Sequence, residues 1–397
     1  MSLKSNNWSH NLFYILLLIS FLTINTTQAA GATDTYALTG IVKDGETGEG
    51  LIGAHVFLLE STVGTVTGEE GMFSLAGLPA GEYKVGVSMI GFRPYSMQVN
   101  VVTETKKFFE ITLTPQVYEL DQLTVTGKQS KRWRKQLREF TLHVIGDSEN
   151  AQETEIMNPE VLSFIQRRDI LIAEAQAPLV IENNALGYRI YYTLVHCTIQ
   201  HGRPQYKGIA RFEELTPKNK RQSRRWKKNR EQAYNGSFKH LLRTLATVQD
   251  IKEIEREGFA ITHANEFPET IRSYDRAIQR SKASIHDFVQ KIPSTNENLL
   301  QVKDYLLITF SKELESNRYV QNYLMHNGNP DIQRSSIELR KDSTVFNDSG
   351  FLHDAYSVVL HGYMGWERMA ELLPLDYAHM DGLEMRASIA EEDFKGQ

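Results

Sequence analysis

The chain has 397 residues, of which 41% are hydrophobic and 23% are charged, and its formal net charge is −5. A chain of this length and composition can bury ordinary globular cores, which we expect to be divided between two domains. The mild negative charge gives no general sign of nucleic-acid binding, and the single cysteine, Cys197, excludes an internal disulfide.

Residues 1–30 are predicted to be a cleaved signal peptide. Lys4 precedes an apolar run over residues 12–22, and mostly small residues follow at 27–30. The run is shorter than the roughly 20 apolar residues that a membrane-spanning helix needs. We therefore expect an exported protein in the periplasm, or at the periphery of the outer membrane or cell envelope. An uncleaved N-terminal anchor is the alternative.

Residues 36–114 are predicted to form a small β-sandwich. Glycine- and proline-rich turns separate short apolar runs at 36–42, 54–59, 71–75, 81–88 and 108–113. Short strands with such turns are typical of an antiparallel sandwich of about seven strands. The string 48–53 also fits the Gly-x-Gly-x-x-Gly pattern of dinucleotide-binding proteins. That motif must open a helix, whereas a strand follows here, so no dinucleotide site is predicted.

Short motifs follow one another along this region in a fixed order. They are Gly40-Ile41-Val42-Lys43-Asp44, Thr47-Gly48-Glu49, Gly53-Ala54-His55-Val56, Gly71-Met72-Phe73 and Leu78-Pro79-Ala80-Gly81-Glu82-Tyr83. In this order they resemble the carboxypeptidase-like regulatory domain, a transthyretin-like module common in Bacteroidetes envelope proteins. Gly68 departs from the pattern, since the family usually has Asp or Asn there. The resemblance implies an envelope location and a binding role but no peptidase activity, because the module carries no catalytic residues.

Residues 115–139 are predicted to be a linker that contains a helix. The segment 120–127 resembles the one that joins such a module to the plug of TonB-dependent receptors. The remaining chain is too short for a receptor of that kind. We therefore interpret the segment as an edge strand and linker, with a docking strand for a partner as the alternative.

The helix predicted in this linker is basic and amphipathic. At about 100° per residue, Trp133, Leu137 and Phe140 fall on one face. The opposite face carries five candidate surface-binding residues: Lys131, Arg132, Arg134, Lys135 and Arg138. Such a helix could lie on an anionic membrane surface. The alternative is that its apolar face docks on the second domain and its charges are merely solvated.

Residues 140–385 are predicted to form a mixed α+β domain, followed by an acidic tail at 386–397. Asn158 and Pro159 are typical of a helix start, so a helix is expected from there to Arg168. A turn at Asn183-Asn184 and strands up to residue 212 come next. The pattern at 178–188 resembles the region after the sandwich in uncharacterised Bacteroidetes proteins. Further strands are expected at 305–310, 336–340 and 357–360, which completes an α+β fold class.

A long helix is predicted over residues 218–249. It is expected to break at Asn235-Gly236, since glycine inside a helix costs about 1 kcal/mol. Trp226 and Ala233 share its apolar face. Four more candidate surface-binding residues lie mostly opposite that face: Arg221, Arg224, Arg225 and Lys228. A solvated face is the first interpretation, with a polyanion contact as the competitor.

No catalytic motif is convincing in this sequence. Neither a Walker-type phosphate-binding loop nor a Gly-x-Ser-x-Gly nucleophile elbow occurs. His263 and Glu266 have the His-x-x-Glu spacing of zinc carboxypeptidases, and the third ligand would come from a later histidine: His353, His361 or His379. Because twelve histidines make such a spacing expected by chance, both residues are weak metal candidates only. No cofactor is predicted.

Two further segments contain residue types that can carry chemistry. His196 and Cys197 are adjacent in a predicted strand, so their side chains point to opposite faces and a thiol–imidazole pair is not expected. Cys197 is instead interpreted as a buried small hydrophobe. The aromatic residues of segment 362–368 are interpreted as sealing a core, with a ligand cleft as the alternative.

Two functions from different classes remain. The favoured one is a non-enzymatic envelope protein that binds a partner, either an envelope protein or an anionic membrane surface or glycan. The alternative is a periplasmic hydrolase, such as a metal-dependent peptidase. Nucleic acid is not expected as a partner, and the sequence predicts no oligomeric state.

Overall fold

A computed structural model describes residues 35–101, 108–116, 130–248, 250–268, 270–279, 284–293, 295–323 and 329–377. The predicted signal peptide, the segment 120–127 and the acidic tail lie outside the described residues. Among the described helices, none combines the length and the apolar character needed to cross a membrane.

The strands that precede residue 116 form a two-sheet sandwich. They are β1 (Thr35–Asp44), β2 (His55–Leu58), β3 (Gly64–Val66), β4 (Met72–Pro79), β5 (Gly81–Ser88), β6 (Tyr95–Val101) and β7 (Phe108–Leu113). The sheets are ordered β4-β1-β7 and β3-β2-β5-β6. Their inner faces bury one core, which includes Val42, Val56, Val85 and Leu113. The predicted sandwich is confirmed, and strand β1 additionally pairs with β7 in parallel.

A long hairpin organises the next sheet. Its strands are β8 (Thr154–Ile156), β9 (Leu162–Arg167), β10 (Ile170–Ala175), β11 (Leu179–Asn183), β12 (Tyr188–Gln200) and β13 (Arg203–Glu214). Strand β12 pairs with β13 along its whole length, and its other edge pairs with β11 and then β10. Helix α1 (Lys131–Phe140) packs against β9 and places Phe140 in the core of this sheet.

The helix predicted after Asn158 is wrong. Pro159–Val161 form one 3-10 turn, and the chain then continues as strand β9. The Asn158 side chain, expected to cap a helix, instead accepts a hydrogen bond from the Val180 N–H (2.7 Å) and donates one to the Pro178 carbonyl (2.9 Å). The strand prevails because every residue of β9 pairs with a residue of β10.

Helices and two smaller sheets make up the rest. The α-helices are α2 (Lys220–Tyr234), α3 (Phe238–Thr247), α4 (Ile251–Arg256), α5 (Ile271–Gln279), α6 (Asn317–Tyr323) and α7 (Gly362–Trp366). The strands are β14 (Phe259–Ala264), β15 (Val289–Lys291), β16 (Glu297–Gln301), β17 (Tyr305–Leu314), β18 (Ile332–Leu339), β19 (Ser343–Asn347) and β20 (Val358–His361). The predicted break at Asn235-Gly236 separates α2 from α3, and the strands expected near 305, 336 and 357 are present.

The region after the sandwich contains two separate hydrophobic cores. The first lies on the β12–β13 sheet and includes Tyr188, Phe212 and residues from Met369 to Tyr377. The second lies between α3 and the sheets ordered β14-β17-β18-β20 and β15-β16-β19, and it includes Phe288 and Phe346.

The sandwich is docked on the β12–β13 sheet by main-chain hydrogen bonds. Glu60 N–H donates to the Ala210 carbonyl (2.8 Å), and Phe212 N–H donates to the Ser61 carbonyl (3.0 Å). The Leu375 N–H in turn donates to the Glu60 carbonyl at 2.6 Å. A small apolar cluster covers this contact: Phe57, Leu59, Ile209, Phe351 and Leu375. The two parts of the chain are therefore in direct contact near residue 60.

Candidate binding surface

Helix α1 is held by its apolar side. The Ser130 hydroxyl accepts a hydrogen bond from the Trp133 N–H (3.1 Å) and so caps the first turn. The Trp133 indole N–H donates to the Leu162 carbonyl of β9 at 2.9 Å, and its ring lies 6.1 Å from that of Phe164. Phe140 at the other end of the helix is fully buried. These contacts fix which face of α1 meets solvent.

The solvent face of α1 is a row of cations. The side chains of Lys131, Arg132, Arg134, Lys135 and Arg138 are all exposed. Within the part of the chain that the structure describes, none of them has an ion-pair or side-chain hydrogen-bond partner. All five predicted surface residues of α1 therefore present their charge to solvent on one side of a rigidly held helix. We refer to them as the α1 basic face.

Helix α2 has a similar exposed face, but one of its predicted surface cations bonds to neighbouring parts of the protein. Its Trp226 is buried, and the indole N–H donates to the Asn184 carbonyl at 2.7 Å. Arg225 pairs with Glu153 at 2.9 Å and also donates to the Asn184 carbonyl. Of the predicted surface residues on this helix, Arg225 thus fixes α2 to the β11–β12 turn. The remaining candidates are exposed and unpaired among the described residues: Arg221, Arg224 and Lys228.

Acidic groups lie close to α2. Arg230 pairs with Glu214 at 2.8 Å and stacks over the ring of Tyr188 at 3.9 Å. Glu231 is exposed on the same helix, four residues after Lys227 and three after Lys228. Two cations of α2, Arg225 and Arg230, are therefore used in ion pairs, whereas the α1 basic face forms none with the described residues; its own helix carries one carboxylate, Glu139, four residues after Lys135.

The metal candidates do not assemble a site in the described residues. His263 lies on β14 with its ring 6.0 Å from that of Phe288, and Glu266 lies in the exposed loop that follows. His353 pairs with Glu297 and His361 with Glu338, while His379 is outside the described residues. Across the described ranges, no group of three or more His, Cys, Asp or Glu side chains is arranged to hold a metal ion.

Cys197 and the aromatic segment have structural roles. Cys197 is 1% exposed, and its burial raises the pKa of the thiol to about 12, so the reactive thiolate is disfavoured. His196 is exposed and packs against Tyr356 instead. Tyr363 and Trp366 are buried together with Tyr319. Both sequence interpretations, a buried thiol and a sealed aromatic core, are confirmed.

A cavity beside His263 was not foreseen from the sequence. It has a volume of about 620 Å³ and is lined by His263, Asn265, Asp287, Gln301, Val302, Lys303 and Asp342. Of these residues only His263 belongs to a pattern that the sequence marks, because the others come from separate turns and carry no shared motif. A cavity built from distant turns leaves no local signal in a sequence.

Comparison with known proteins identifies one part of the chain. The family model of the CarboxypepD_reg-like domain matches residues 38–125, which confirms the resemblance drawn from the motifs of that region. No curated protein matches the chain.

Solved structures give only distant likenesses. One is catechol 1,2-dioxygenase from Acinetobacter sp. ADP1, with 15% identity over 22% of this chain, 55% of that chain, and a TM-score of 0.18. A Bacteroides fragilis protein of unknown function, provisionally described as membrane-associated, has 16% identity over 41% of this chain, 66% of that chain, and a TM-score of 0.18. A Bacteroides uniformis protein provisionally described as carbohydrate-binding has 12% identity over 45% of this chain, 98% of that chain, and a TM-score of 0.17. With TM-scores this low, none of them carries an argument.

Proposed function

We propose that this protein is an exported, non-enzymatic cell-envelope protein that binds an anionic surface. The match of residues 38–125 to the CarboxypepD_reg-like domain supports the proposal. The α1 basic face is the binding element, and the sandwich is an anchoring module. The observation that carries the proposal is the row of five exposed cations without acidic partners among the described residues. The predicted signal peptide supports export to the periplasm or the periphery of the outer membrane.

The α1 basic face favours adsorption rather than insertion. Its apolar side is occupied by contacts with Leu162 and Phe164 and by the burial of Phe140, so it is not free to enter a bilayer. Each Lys or Arg near an anionic leaflet contributes about 1 kcal/mol, so five together can supply up to about 5 kcal/mol. Exposed charges are screened beyond about 10 Å at 0.1 M salt. Binding should therefore weaken steeply as salt rises.

The hydrolase alternative gains no support from the described residues. His263 and Glu266 meet no third metal ligand there. The buried thiol of Cys197 is likewise not activated, because its pKa is raised rather than lowered. We therefore keep the surface-binding role as the proposed function.

Replacing all five cations of the α1 basic face by glutamine is expected to weaken binding to anionic vesicles by up to about 4,000-fold, which corresponds to about 1 kcal/mol per charge. The measurement is cosedimentation of the mature protein with phosphatidylcholine vesicles that contain phosphatidylglycerol, at low and at high salt. Wild-type binding should fall sharply at high salt and be absent on pure phosphatidylcholine.

The matched control removes five exposed cations from α2: Lys220, Arg221, Arg224, Lys227 and Lys228. It changes the net charge by the same amount and leaves Arg225 and Arg230 in place, so the fold should be retained. Binding close to wild type is expected for this control. If the α2 variant loses binding and the α1 variant keeps it, or if both variants bind as wild type does, the assignment to α1 is wrong.

A further inference from the structure

The cavity beside His263 is formed where separate turns of the second core meet. His263 and Asn265 lie at and just after the end of β14, Gln301 ends β16, and Val302 and Lys303 lie in the turn to β17. Asp342 comes from the turn between β18 and β19. Its volume of about 620 Å³ is within the range of sites for small molecules, which is about 300–1,000 Å³. One lining residue, Val302, is buried and belongs to the second core.

Most polar groups of this cavity are not used by the fold. Asn265, Lys303 and Asp342 are exposed, and their side chains have no hydrogen-bond or ion-pair partner among the described residues. The Gln301 side chain is likewise unpaired in the described part of the chain. The Nδ1 atom of His263 is buried and also lacks a partner there, an arrangement that is uncommon in folded proteins. The exposed side chains of Asn265, Lys303 and Asp342 remain available to a ligand, whereas the buried His263 Nδ1 atom is not accessible from the cavity.

A second, much smaller cavity shows the opposite arrangement. It lies between the sandwich and the β16–β19 sheet and has a volume of only about 10 Å³. There the polar side chains bond to one another: Gln98 donates to Glu82 and lies near Glu297, which pairs with His353 at 3.1 Å. Its polar groups serve the contact between the two parts of the chain. In the cavity beside His263, by contrast, the side chains of Asn265, Gln301, Lys303 and Asp342 form no hydrogen bonds or ion pairs with one another.

The chemistry of the lining selects one class of ligand. Carboxamides such as those of Asn265 and Gln301 both donate and accept hydrogen bonds, carboxylates accept, and an ammonium group donates. A hydroxyl group also donates and accepts, so a polyhydroxylated molecule can satisfy all of them. The carboxylates of Asp287 and Asp342 repel an anionic ligand, and the Lys303 ammonium group repels a cationic one. We propose that this cavity binds a neutral sugar, independently of the α1 basic face.

The proposal is tested by saturation-transfer difference NMR on the mature protein. The probes are glucose, galactose, mannose and maltose, with glucuronate and glucosamine as charged molecules of similar shape. At least one neutral sugar should receive saturation, and both charged comparators should receive less. Saturation of none of the neutral sugars, or a stronger response for either charged comparator, would overturn the assignment.

Variants then locate the site. Asn265→Ala removes one neutral hydrogen bond, and Asp342→Asn replaces a charge-assisted hydrogen bond by a neutral one, so each should weaken the affinity for the responding sugar about fivefold. Asp304→Asn is the control, because Asp304 is exposed beside Lys303 but does not line the cavity. Since all three side chains are exposed, thermal unfolding should be unchanged. Equal affinities in wild type, Asn265→Ala and Asp342→Asn would show that the sugar binds elsewhere and would refute the proposal.

Discussion

Replacing Gly187 by alanine is expected to lower the free energy of unfolding by about 3 kcal/mol. Gly187 has a φ of +72°, a conformation that costs other L-residues about 1–2 kcal/mol. A Cβ atom at this position would also lie 2.3 Å from the Trp226 ring, and overpacking of this kind adds about 1–3 kcal/mol. The Trp226 ring cannot easily retreat, because its indole N–H is bonded to the Asn184 carbonyl. Helix α2 would have to move as a whole.

The control for this substitution lies at the other end of the same strand. Gly202 follows β12, has the same φ of +72°, and its nearest neighbour for an added Cβ is the His143 ring at 3.3 Å. Gly202→Ala should therefore cost little more than the backbone conformation itself. Urea unfolding followed by circular dichroism measures both variants. Equal losses at the two glycines would mean that Trp226 and α2 yield without cost.

Acidification from pH 6.5 to pH 4 is expected to remove about 3 kcal/mol of stability through His240, at about 1.4 kcal/mol for each pH unit between its two pKa values. The His240 ring is 8% exposed and packs against Tyr234, Phe259 and Phe310. Burial, followed by the charges of Lys312 and Arg243, lowers its pKa from 6.5 to about 4. Its Nδ1 atom accepts the Gly236 N–H at 3.1 Å, which fits the neutral ring.

The sign of this effect follows from proton linkage. In the unfolded chain the His240 imidazole takes up a proton near pH 6.5, whereas in the folded protein it does so only near pH 4. Between these values the unfolded state binds more protons, so stability falls as the pH falls, and above pH 6.5 this residue contributes no pH dependence.

The variant His240→Asn tests this assignment, because a carboxamide oxygen can still accept the Gly236 N–H but does not titrate. It should be less stable at pH 7 and should lose the part of the acid slope that wild type shows between pH 6.5 and pH 4. His286→Asn, at an exposed histidine, is the control and should keep the wild-type slope. Urea midpoints at several pH values provide the measurement. An unchanged slope in His240→Asn would assign the acid sensitivity to other groups.

Local signals in the sequence predicted local structure well. The Asn183-Asn184 turn and the break at Asn235-Gly236 depend on residues that are neighbours in the chain, and both are present. The prediction of a helix after Asn158 was wrong because the Asn158 side chain bonds to the Val180 N–H, 22 residues further along, instead of capping a helix. A side chain that is typical of a helix cap was used for a long-range bond, and no local pattern distinguishes these two uses.

The same limit applies to the binding residues. The face of α1 could be predicted because helical periodicity alone separates Trp133 and Phe140 from the cations. The ion pair of Arg225 could not be predicted, because its partner Glu153 lies 72 residues away in the chain. The cavity beside His263 forms only where turns near residues 263, 287, 301 and 342 meet, and this meeting is visible only in the tertiary structure.

The main-chain contacts around Glu60 have a consequence for the order of folding. The sandwich contains its own core, so it can form before it docks on the rest of the chain. However, the Glu60 carbonyl accepts its hydrogen bond from the Leu375 N–H, and the Thr62 N–H donates to the Asp376 carboxylate at 3.1 Å. More than three hundred residues separate these partners in the chain. The sandwich can therefore complete these contacts only after residues 375–376, the last described residues, have reached their places.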